Sequence, residues 1–383
     1  MLKSITITHF FKGAKMIENS KRIVFKFGTN ILRNDTGEIS LAHLYSFIED
    51  ISYLYKQGRE VLVVTSGAVG LGAKKLGVDT STSTTLKQAA ASIGQPLLMS
   101  IWQDGFEKYG ITTAQILLTE EDFSNRRKYL SLRLTLHKLL ENGVIPIINQ
   151  NDAVSPSELE HVCFSDNDKL SSIVASKLDA DLLVMVSDID GLFDKNPKLY
   201  DDAKLIPVVE KVTSKIEKLA SGASTGGRGG MITKLTAAKV VTSSGLYAKI
   251  VNGKIPGIIR KVFDDNVGTV FLPNQNLSHK KRWIAYATNI MGKIKVNSGA
   301  KKAIKENQKS LLSVGITGVE GKFKRGEIIS IIDENNNEFA RGISSYDAID
   351  IDKIKGEHSD KIDEILGYKY DDDVVIKDNL VLI

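Results

Sequence analysis

The stretch from Gly143 to Leu170, GVIPIINQNDAVSPSELEHVCFSDNDKL, decides the fold of this chain. Its apolar run, Val144 to Ile148, stands between a glycine and a polar cluster, a pattern typical of a buried strand. The cluster Asn149-Gln150-Asn151-Asp152 follows, and Asp166-Asn167-Asp168 precedes a predicted helix, Lys169 to Leu178. Ligands of open α/β sheets bind at the carboxyl ends of strands. Both clusters therefore stand where a site is expected, although a turn and a helix cap favour the same residue types.

Strands and helices alternate on both sides of this stretch. The predicted strands are Arg22 to Phe27, Val61 to Thr65, Thr112 to Leu118, Val144 to Ile148, Asp181 to Val186 and Tyr247 to Val251. The predicted helices include one that follows the cap residue Ser40, a region from Leu86 to Tyr109 interrupted by Gly94 and Pro96, and one from Phe123 to Glu141. This alternation predicts an α/β fold with a mostly parallel open sheet sandwiched by helices.

Lysines and a glycine-rich loop suggest a site for a polyanion. Lys26 interrupts an apolar strand, which is costly unless the ammonium has a partner. The loop from Ser221 to Met231 opens a helix, and Lys234 can point back towards its mouth. This loop has neither P-loop nor G-x-G-x-x-G spacing. A solvated edge-strand lysine and a flexible surface loop would give similar patterns. Asp168 and Asp188, after neighbouring strands, suggest a bound Mg²⁺ or a partner for those lysines. The pattern fits phosphoryl transfer, in which positioning and charge stabilisation do most of the work.

Length and composition predict two domains in a reducing compartment. The chain has 383 residues, 42% of them hydrophobic, a net charge of +5 and one cysteine. A single cysteine excludes a disulfide framework, so we expect a cytoplasmic protein. No apolar run is long enough for a membrane span, and no membrane partner is expected.

The predicted organisation has four parts. Residues 1–19 are an N-terminal extension, 20–255 the α/β domain, 256–289 a linker region and 290–383 a small β-barrel-like domain with a C-terminal tail. The charge changes along the last parts: 254–330 hold fifteen Lys or Arg against five Asp or Glu, and 331–383 hold six against fourteen.

The motifs resemble those of the amino acid kinase family, in the family order. They are Val24 to Thr29, Val64 to Val69, Ile145 to Val154, Asp166 to Asp168, Ser187 to Phe193 and Gly229 to Lys234. The later stretches Val296 to Ala300, Ser310 to Leu312 and Gly321 to Glu327 resemble a PUA domain. A kinase domain followed by a PUA domain is typical of the branch that phosphorylates the side-chain carboxylate of glutamate, the first step of proline biosynthesis.

The resemblance implies a role for each matching residue. Catalytic roles fall to Lys26 and Lys234, which would contact the phosphates, and to Asp168, which would hold the two lysines. Substrate binding would use Ser66, Asp152 and Asn167. ATP binding would use Lys26, Ser187, Asp188, Arg228, Gly229, Gly230, Met231, Ile232, Thr233 and Lys234. The family has Thr more often than Ser at position 187 and Tyr more often than Phe at 193, which affects only details of nucleotide binding.

The resemblance also implies partners and a cofactor. The substrates would be L-glutamate and ATP with Mg²⁺, whose direct ligands the sequence does not identify. Proline commonly inhibits enzymes of this branch, and the sequence leaves open whether it inhibits this one. A homo-oligomer, dimer or tetramer, is expected.

Two alternatives remain at this stage. One is a kinase of another amino acid or of carbamate, against which the SDND cluster and the PUA-like domain argue. The other is an RNA-binding protein, because PUA domains bind RNA in modification enzymes and residues 254–330 are basic. Since the acidic end nearly cancels that charge, we expect regulation or assembly to be the main role of the PUA-like domain.

Overall fold

The computed structural model describes residues 17–34, 39–81, 83–154, 167–197, 199–221, 230–264, 267–274, 279–285 and 290–383. The chain divides into two compact units, Met1–Asn276 and Leu277–Ile383. Each unit has a hydrophobic core of its own. None of the helices within the described ranges has both the length and the apolar character needed to cross a membrane.

The first unit is built on an eight-stranded sheet. Its strands are β1 (Arg22–Phe27), β2 (Glu60–Val64), β3 (Thr113–Leu118), β4 (Ile145–Gln150), β5 (Leu182–Ser187), β6 (Val208–Val209), β7 (Tyr247–Asn252) and β8 (Thr269–Phe271). The order across the sheet is β3-β4-β2-β1-β5-β7-β8-β6, and only the β7–β8 pair is antiparallel among these neighbours. The predicted mostly parallel sheet is therefore confirmed.

The helices of the first unit alternate with these strands. They are α1 (Leu41–Lys56), α2 (Ala68–Leu76), α3 (Thr84–Glu107), α4 (Glu121–Ser124), α5 (Arg126–Glu141), α6 (Asn167–Lys177), α7 (Ser214–Ser221) and α8 (Met231–Ser243). The predicted cap of α1 is confirmed, since the Ser40 hydroxyl accepts a hydrogen bond from the His43 amide. Capping of this kind satisfies an amide that the helix itself leaves unpaired.

The central strand β1 is anchored by aromatic packing. Phe25 and Phe27 are fully buried. The Phe27 ring lies 4.9 Å from that of Phe47 in α1 and 5.6 Å from that of Trp102 in α3, measured between ring centroids. Because aromatic rings bury large apolar surfaces, this cluster fixes the carboxyl end of β1 against both helices.

The predicted interruption of the Leu86–Tyr109 region is wrong, because α3 continues through both Gly94 and Pro96. The reason is tertiary packing against α2. A Cβ on Gly94 would lie 1.8 Å from the carbonyl oxygen of Ala68, and one on Gly72 would lie 1.7 Å from that of Ala90. The glycines therefore allow two helix backbones to touch, and this contact outweighs the weak helix propensity of the local sequence.

The predicted helix from Phe123 to Glu141 is divided into α4 and α5. Asn125 between them has an extended backbone, and its side chain accepts from the amides of Arg127 and Lys128. The helix therefore restarts at an asparagine cap.

The second unit has a separate five-stranded sheet in the order β11-β9-β12-β13-β15 and a two-stranded sheet, β10-β14. The strands are β9 (Gly292–Val296), β10 (Leu311–Leu312), β11 (Ile316–Gly321), β12 (Ile328–Ile332), β13 (Glu338–Ile343), β14 (Asp373–Val375) and β15 (Leu380–Leu382). The helices are α9 (His279–Ala285), α10 (Ser298–Asn307), α11 (Ala348–Ile354) and α12 (Ile362–Leu366). The predicted small β domain at the C-terminal end is confirmed.

Candidate active site

A buried carboxylate, Asp168, lies between two lysine ammonium groups. Lys26 is the fifth residue of β1, and its Nζ is 2.6 Å from Oδ1 of Asp168. Lys234 lies in the first turn of α8, and its Nζ is 3.2 Å from Oδ2. Asp168 has no exposed surface, and the two lysines are 4% and 5% exposed. The structure thus joins three side chains that the sequence places far apart.

The electrostatics of Asp168 follow from this arrangement. Burial alone would raise the pKa of its carboxyl, because burial disfavours the charged form. The ammonium groups of Lys26 and Lys234 outweigh burial, and the Thr233 hydroxyl donates to Oδ2 at 2.9 Å. Together they lower the pKa of Asp168 to about 2. The cluster therefore combines two positive groups with one negative group, and the surplus positive charge borders an open cleft.

This cleft has a volume of about 390 Å³ and lies at the carboxyl ends of β1, β2, β4 and β5. Seven of the predicted site residues line it: Lys26, Ser66, Asp152, Asn167, Ser187, Asp188 and Lys234. The loops after these strands therefore meet at one rim, as expected for parallel strands whose carboxyl ends share one edge.

Amide and hydroxyl groups form the β2–β4 side of the cleft. The Asn167 amide donates to the Thr65 carbonyl (2.7 Å) and to Oδ1 of Asn149 (3.2 Å). Asn149 in turn donates to Oε1 of Gln95 in α3 (2.8 Å). The Ser66 hydroxyl donates to the Phe27 carbonyl at 3.0 Å. These bonds hold the polar side chains in fixed orientations, so this side is organised before any ligand binds.

Asp152 adds a carboxylate to the same side. It follows β4 and is half-buried. Burial raises the pKa of its carboxyl to about 6. An acid with this pKa is only partly protonated at neutral pH, and a cation placed beside it would favour the charged form. Asp152 is therefore suited to bind an ammonium group.

The β5 side of the cleft carries Ser187 and Asp188. The Asn30 amide donates to Oδ2 of Asp188 (3.2 Å), and the Ser187 hydroxyl donates to Oδ1 (3.2 Å). Burial opposes ionisation of Asp188, but these hydrogen bonds and the charge of Lys234 lower the pKa of its carboxyl. The bond to Asn30 also links the loop after β5 to the loop after β1.

The predicted nucleotide-binding loop is described only at its end. Arg228 and Gly229 lie outside the described residues. Gly230 is the N-cap residue of α8, and Met231, Ile232 and Thr233 form the first turn of that helix with Lys234. Gly230, Met231, Ile232 and Thr233 do not line the cleft, whereas Lys234 does. The Thr233 hydroxyl instead donates to the Asp168 carboxylate, which binds both lysines.

Several residues of the site have no role assigned to them from the sequence. Thr29, Asn30, Arg33 and Asn149 all line the cleft, and Gln95 supports Asn149 from behind. A polar residue inside a buried strand or helix was the available signal for Asn149 and Gln95, since burial of an amide requires a partner. For Arg33 the sequence carries no comparable signal.

The fold and the site together define an α/β kinase followed by a separate C-terminal β domain, and family comparison agrees. The model of the amino acid kinase family matches residues 21–252, and that of the PUA domain matches residues 292–366. A solved UMP kinase from Bacillus anthracis is similar over 67% of this chain and 98% of that chain, with 17% identity and a TM-score of 0.46.

Curated relatives place the chain more finely. A glutamate 5-kinase from Caldanaerobacter subterraneus subsp. tengcongensis is 44% identical over 94% of this chain and 98% of its own length. Glutamate 5-kinases of Trichlorobacter lovleyi and Methanosarcina barkeri are 43% and 44% identical, each over 96% of this chain and over 98% and 97% of their own lengths. The chain belongs to the glutamate 5-kinase branch of the amino acid kinase family. The predicted resemblance is confirmed, whereas a regulatory or assembly role of the PUA domain stays a prediction and RNA binding stays the alternative to it.

Proposed function

We propose that this chain transfers the γ-phosphoryl group of ATP to the side-chain carboxylate of L-glutamate, giving L-glutamyl 5-phosphate, with Lys26 and Lys234 as the catalytic cations. The reaction is the first step of proline biosynthesis. The observation that carries the residue roles is the pair of buried ammonium groups on Asp168 at the wall of a polar cleft. The glutamate 5-kinase relatives support the choice of substrate.

The chemistry requires charge compensation more than proton transfer. The unperturbed pKa of a glutamate side chain is about 4.3, so the nucleophile is already ionised at neutral pH. No general base is needed. The barrier lies in bringing an anion up to a triphosphate and in the charge that develops on the transferring group. Two fixed ammonium groups stabilise that charge without reorganisation at the moment of reaction.

Asp168 serves as the positioning residue for both lysines. It touches neither substrate in this proposal, but its two oxygens hold one ammonium each. A buried carboxylate with a pKa of about 2 stays charged throughout the working range of the enzyme. The lysines therefore keep a constant separation and a constant orientation towards the cleft.

Glutamate would bind on the β2–β4 side. Asp152 would bind the α-ammonium, whose positive charge would offset the cost of burying the carboxylate. Ser66 and Asn167 would orient the substrate, because their hydroxyl and amide groups are already fixed by Phe27, Thr65 and Asn149. Preorganised groups lose little freedom on binding, which favours a defined approach of the carboxylate to ATP.

ATP would bind on the β5 side and over the N-terminus of α8. Ser187 and Asp188 would line the nucleotide pocket, and residues 228–234 would surround the phosphates, where helix amides and the helix dipole favour anions. Within the described residues, no group of three or more His, Cys, Asp or Glu side chains could hold a metal ion. The carboxylate of Asp188 lines the cleft and fits Mg²⁺ that arrives with ATP, because Mg²⁺ is commonly bound by substrate phosphates, water and one or two carboxylates. When bound, the ion would neutralise part of the triphosphate charge.

The experiment is an assay with ATP, Mg²⁺ and L-glutamate in which hydroxylamine traps the acyl phosphate as a hydroxamate. We expect hydroxamate with glutamate and little with aspartate or N-acetylglutamate. Stronger product formation with either competitor, or none with glutamate, would overturn the assignment. A parallel series with proline tests feedback inhibition, which we propose to occur at or overlapping the glutamate site. The homo-oligomeric state stays a prediction that sedimentation can check.

A further inference from the structure

Arg33 is a cation of the cleft that the proposed mechanism does not use. It follows β1 and lines the same cavity as the catalytic lysines. A β-bridge to Ile39 fixes its backbone, and the neighbouring Leu32 carbonyl accepts from the Ser40 amide at 2.8 Å. The backbone of Arg33 is therefore held beside the residues that directly precede α1.

Gly70 makes room for the Arg33 side chain. A Cβ at position 70 would lie 1.6 Å from Nη2 and 2.8 Å from Cζ of Arg33. Gly70 has no left-handed backbone angle that would require glycine. It lies within α2, where glycine is less favourable than alanine. The space above Gly70 is therefore used by the guanidinium.

The guanidinium differs electrostatically from the other cations of the cleft. Lys26 and Lys234 are each bound to Asp168. Across the described ranges, by contrast, no carboxylate lies within ion-pair distance of Arg33. The half-buried guanidinium of Arg33 borders the polar cavity, where an anionic ligand can reach it.

The sheet order indicates on which side of the cleft Arg33 lies. β2 and β4 lie on one side of β1, and β5 lies on the other. Arg33 packs on α2, directly after β2, so it belongs to the side of Ser66 and Asp152. Ser187 and Asp188, on the nucleotide side, follow β5. An anion bound by Arg33 would therefore lie beside Ser66 and Asp152 rather than beside Ser187 and Asp188.

We propose that Arg33 binds the α-carboxylate of the acceptor and selects amino acids in which that carboxylate is free. This inference rests on the proposed function. Glutamate has three charged groups: the side-chain carboxylate goes to the lysine pair, and the α-ammonium goes to Asp152. The α-carboxylate then needs its own cation, and a guanidinium can bind a carboxylate with two parallel hydrogen bonds.

The test compares L-glutamate with L-isoglutamine, its α-amide, which keeps the reacting carboxylate but lacks the α-carboxylate charge. We measure kcat and KM for both in the wild-type enzyme, Arg33→Met, Arg33→Lys and the control Lys75→Met, a charge removed from the exposed part of α2. Where isoglutamine turns over too slowly, its inhibition constant against glutamate replaces KM. Arg33→Met should lower kcat/KM for glutamate about 10- to 100-fold, mainly through KM, and change isoglutamine less than about twofold. Arg33→Lys should recover part of the loss, and Lys75→Met should behave as wild type.

Gly70→Ala provides a second variant that keeps the charge. Its new methyl group must displace the guanidinium, so the same selective loss for glutamate is expected even if Arg33→Met folds poorly. An unchanged ratio of kcat/KM for the two acceptors in Arg33→Met and Gly70→Ala would overturn the inference while leaving the proposed function intact. A wild-type enzyme that phosphorylates neither acceptor would overturn the proposed function, and this inference with it.

Discussion

Lys26 and Asp168 form an ion pair of 2.6 Å that is almost completely removed from solvent and joins β1 to the first turn of α6. Each partner would be costly to bury alone. The second ammonium, from Lys234, leaves the cluster with one uncompensated positive charge. In phosphoryl transfer, negative charge develops on the transferring group in the transition state. The uncompensated positive charge of the cluster can stabilise that negative charge.

Removing the Lys234 charge tests this role. We expect Lys234→Met to lower kcat by about 10²- to 10³-fold while KM for ATP rises only a fewfold, because the ammonium contacts the transition state most strongly. Steady-state kinetics of hydroxamate formation give both parameters. Lys239→Met, an exposed lysine on the same helix, is the matched control and should retain wild-type kinetics. Near-normal kcat with weakened ATP affinity would contradict the catalytic role.

Replacing the carboxylate between the lysines has a different consequence. Asp168→Asn leaves two buried ammonium groups without their counter-charge, and removal of one partner of a buried ion pair costs about 3–5 kcal/mol. Urea unfolding at pH 7 measures the change in free energy. The folded-state pKa of about 2 lies below the unfolded value of 3.8, so the stabilisation is present above pH 4 and is lost as the pH falls from 4 towards 2. The stability gap between wild type and Asp168→Asn should therefore narrow in that window; a gap independent of pH would contradict the assigned pKa.

Local sequence was sufficient for the elements whose signals are local. β1 runs from Arg22 to Phe27 as its apolar pattern predicts, and the Ser40 cap begins α1. The motifs at the carboxyl ends of the strands could be placed at one edge because parallel connectivity follows from alternation of strands and helices. The alternation placed Lys26, Asp168 and Lys234 at one rim, and the family resemblance supplied the role of Asp168 between the two lysines.

What the sequence could not supply depends on contacts between distant segments. Gly94 and Pro96 suggested a break in α3, whereas the close approach of α2 carries the helix through them. The amide pair Asn149–Gln95 spans two elements whose relative position is set by packing rather than by local pattern. The sequence also does not indicate that Arg33 lies in the cleft, because its position there depends on the absence of a side chain at Gly70.

The proposed contact of Asp152 with the α-ammonium predicts that glutamate binding depends on pH. Its pKa of about 6 in the empty site lies above the unfolded value of 3.8, so the cost of its burial is fully present above pH 6 and disappears below pH 4. The α-ammonium of glutamate should lower this pKa on binding. KM for glutamate should therefore decrease as the pH rises through 6, and binding at pH 6 should release a fraction of a proton. Calorimetry in two buffers of different ionisation enthalpy measures that release.

The control for this prediction is Asp152→Asn, which is isosteric but does not titrate. It should bind glutamate more weakly at pH 7 and lose the proton release at pH 6. If the variant releases as many protons as the wild type, another group is responsible and Asp152 does not contact the ammonium.

Lys177 is a buried lysine that does not line the cleft. Its Nζ has no hydrogen-bond partner in the part of the chain that the structure describes and lies 5.0 Å from the centre of the Tyr129 ring. Burial lowers the pKa of its ammonium from 10.5 to about 7. The unfolded chain therefore binds more protons between pH 7 and 10.5, and the folded state gains stability as the pH rises through that window.

Lys177→Met should therefore stabilise the protein, because it replaces a buried amine by an apolar side chain of similar length. We expect a gain of about 1–3 kcal/mol at pH 7 that shrinks as the pH approaches 10, because the cost of neutralising the buried amine falls as the pH nears the unfolded pKa of 10.5. Urea unfolding at the two pH values measures it, and Lys138→Met at an exposed position of α5 should change the stability by less than about 0.5 kcal/mol. Because Lys177 does not line the cleft, the kinetic constants for glutamate should stay at the wild-type values. Destabilisation by Lys177→Met would mean that the ammonium makes a favourable interaction that outweighs its desolvation.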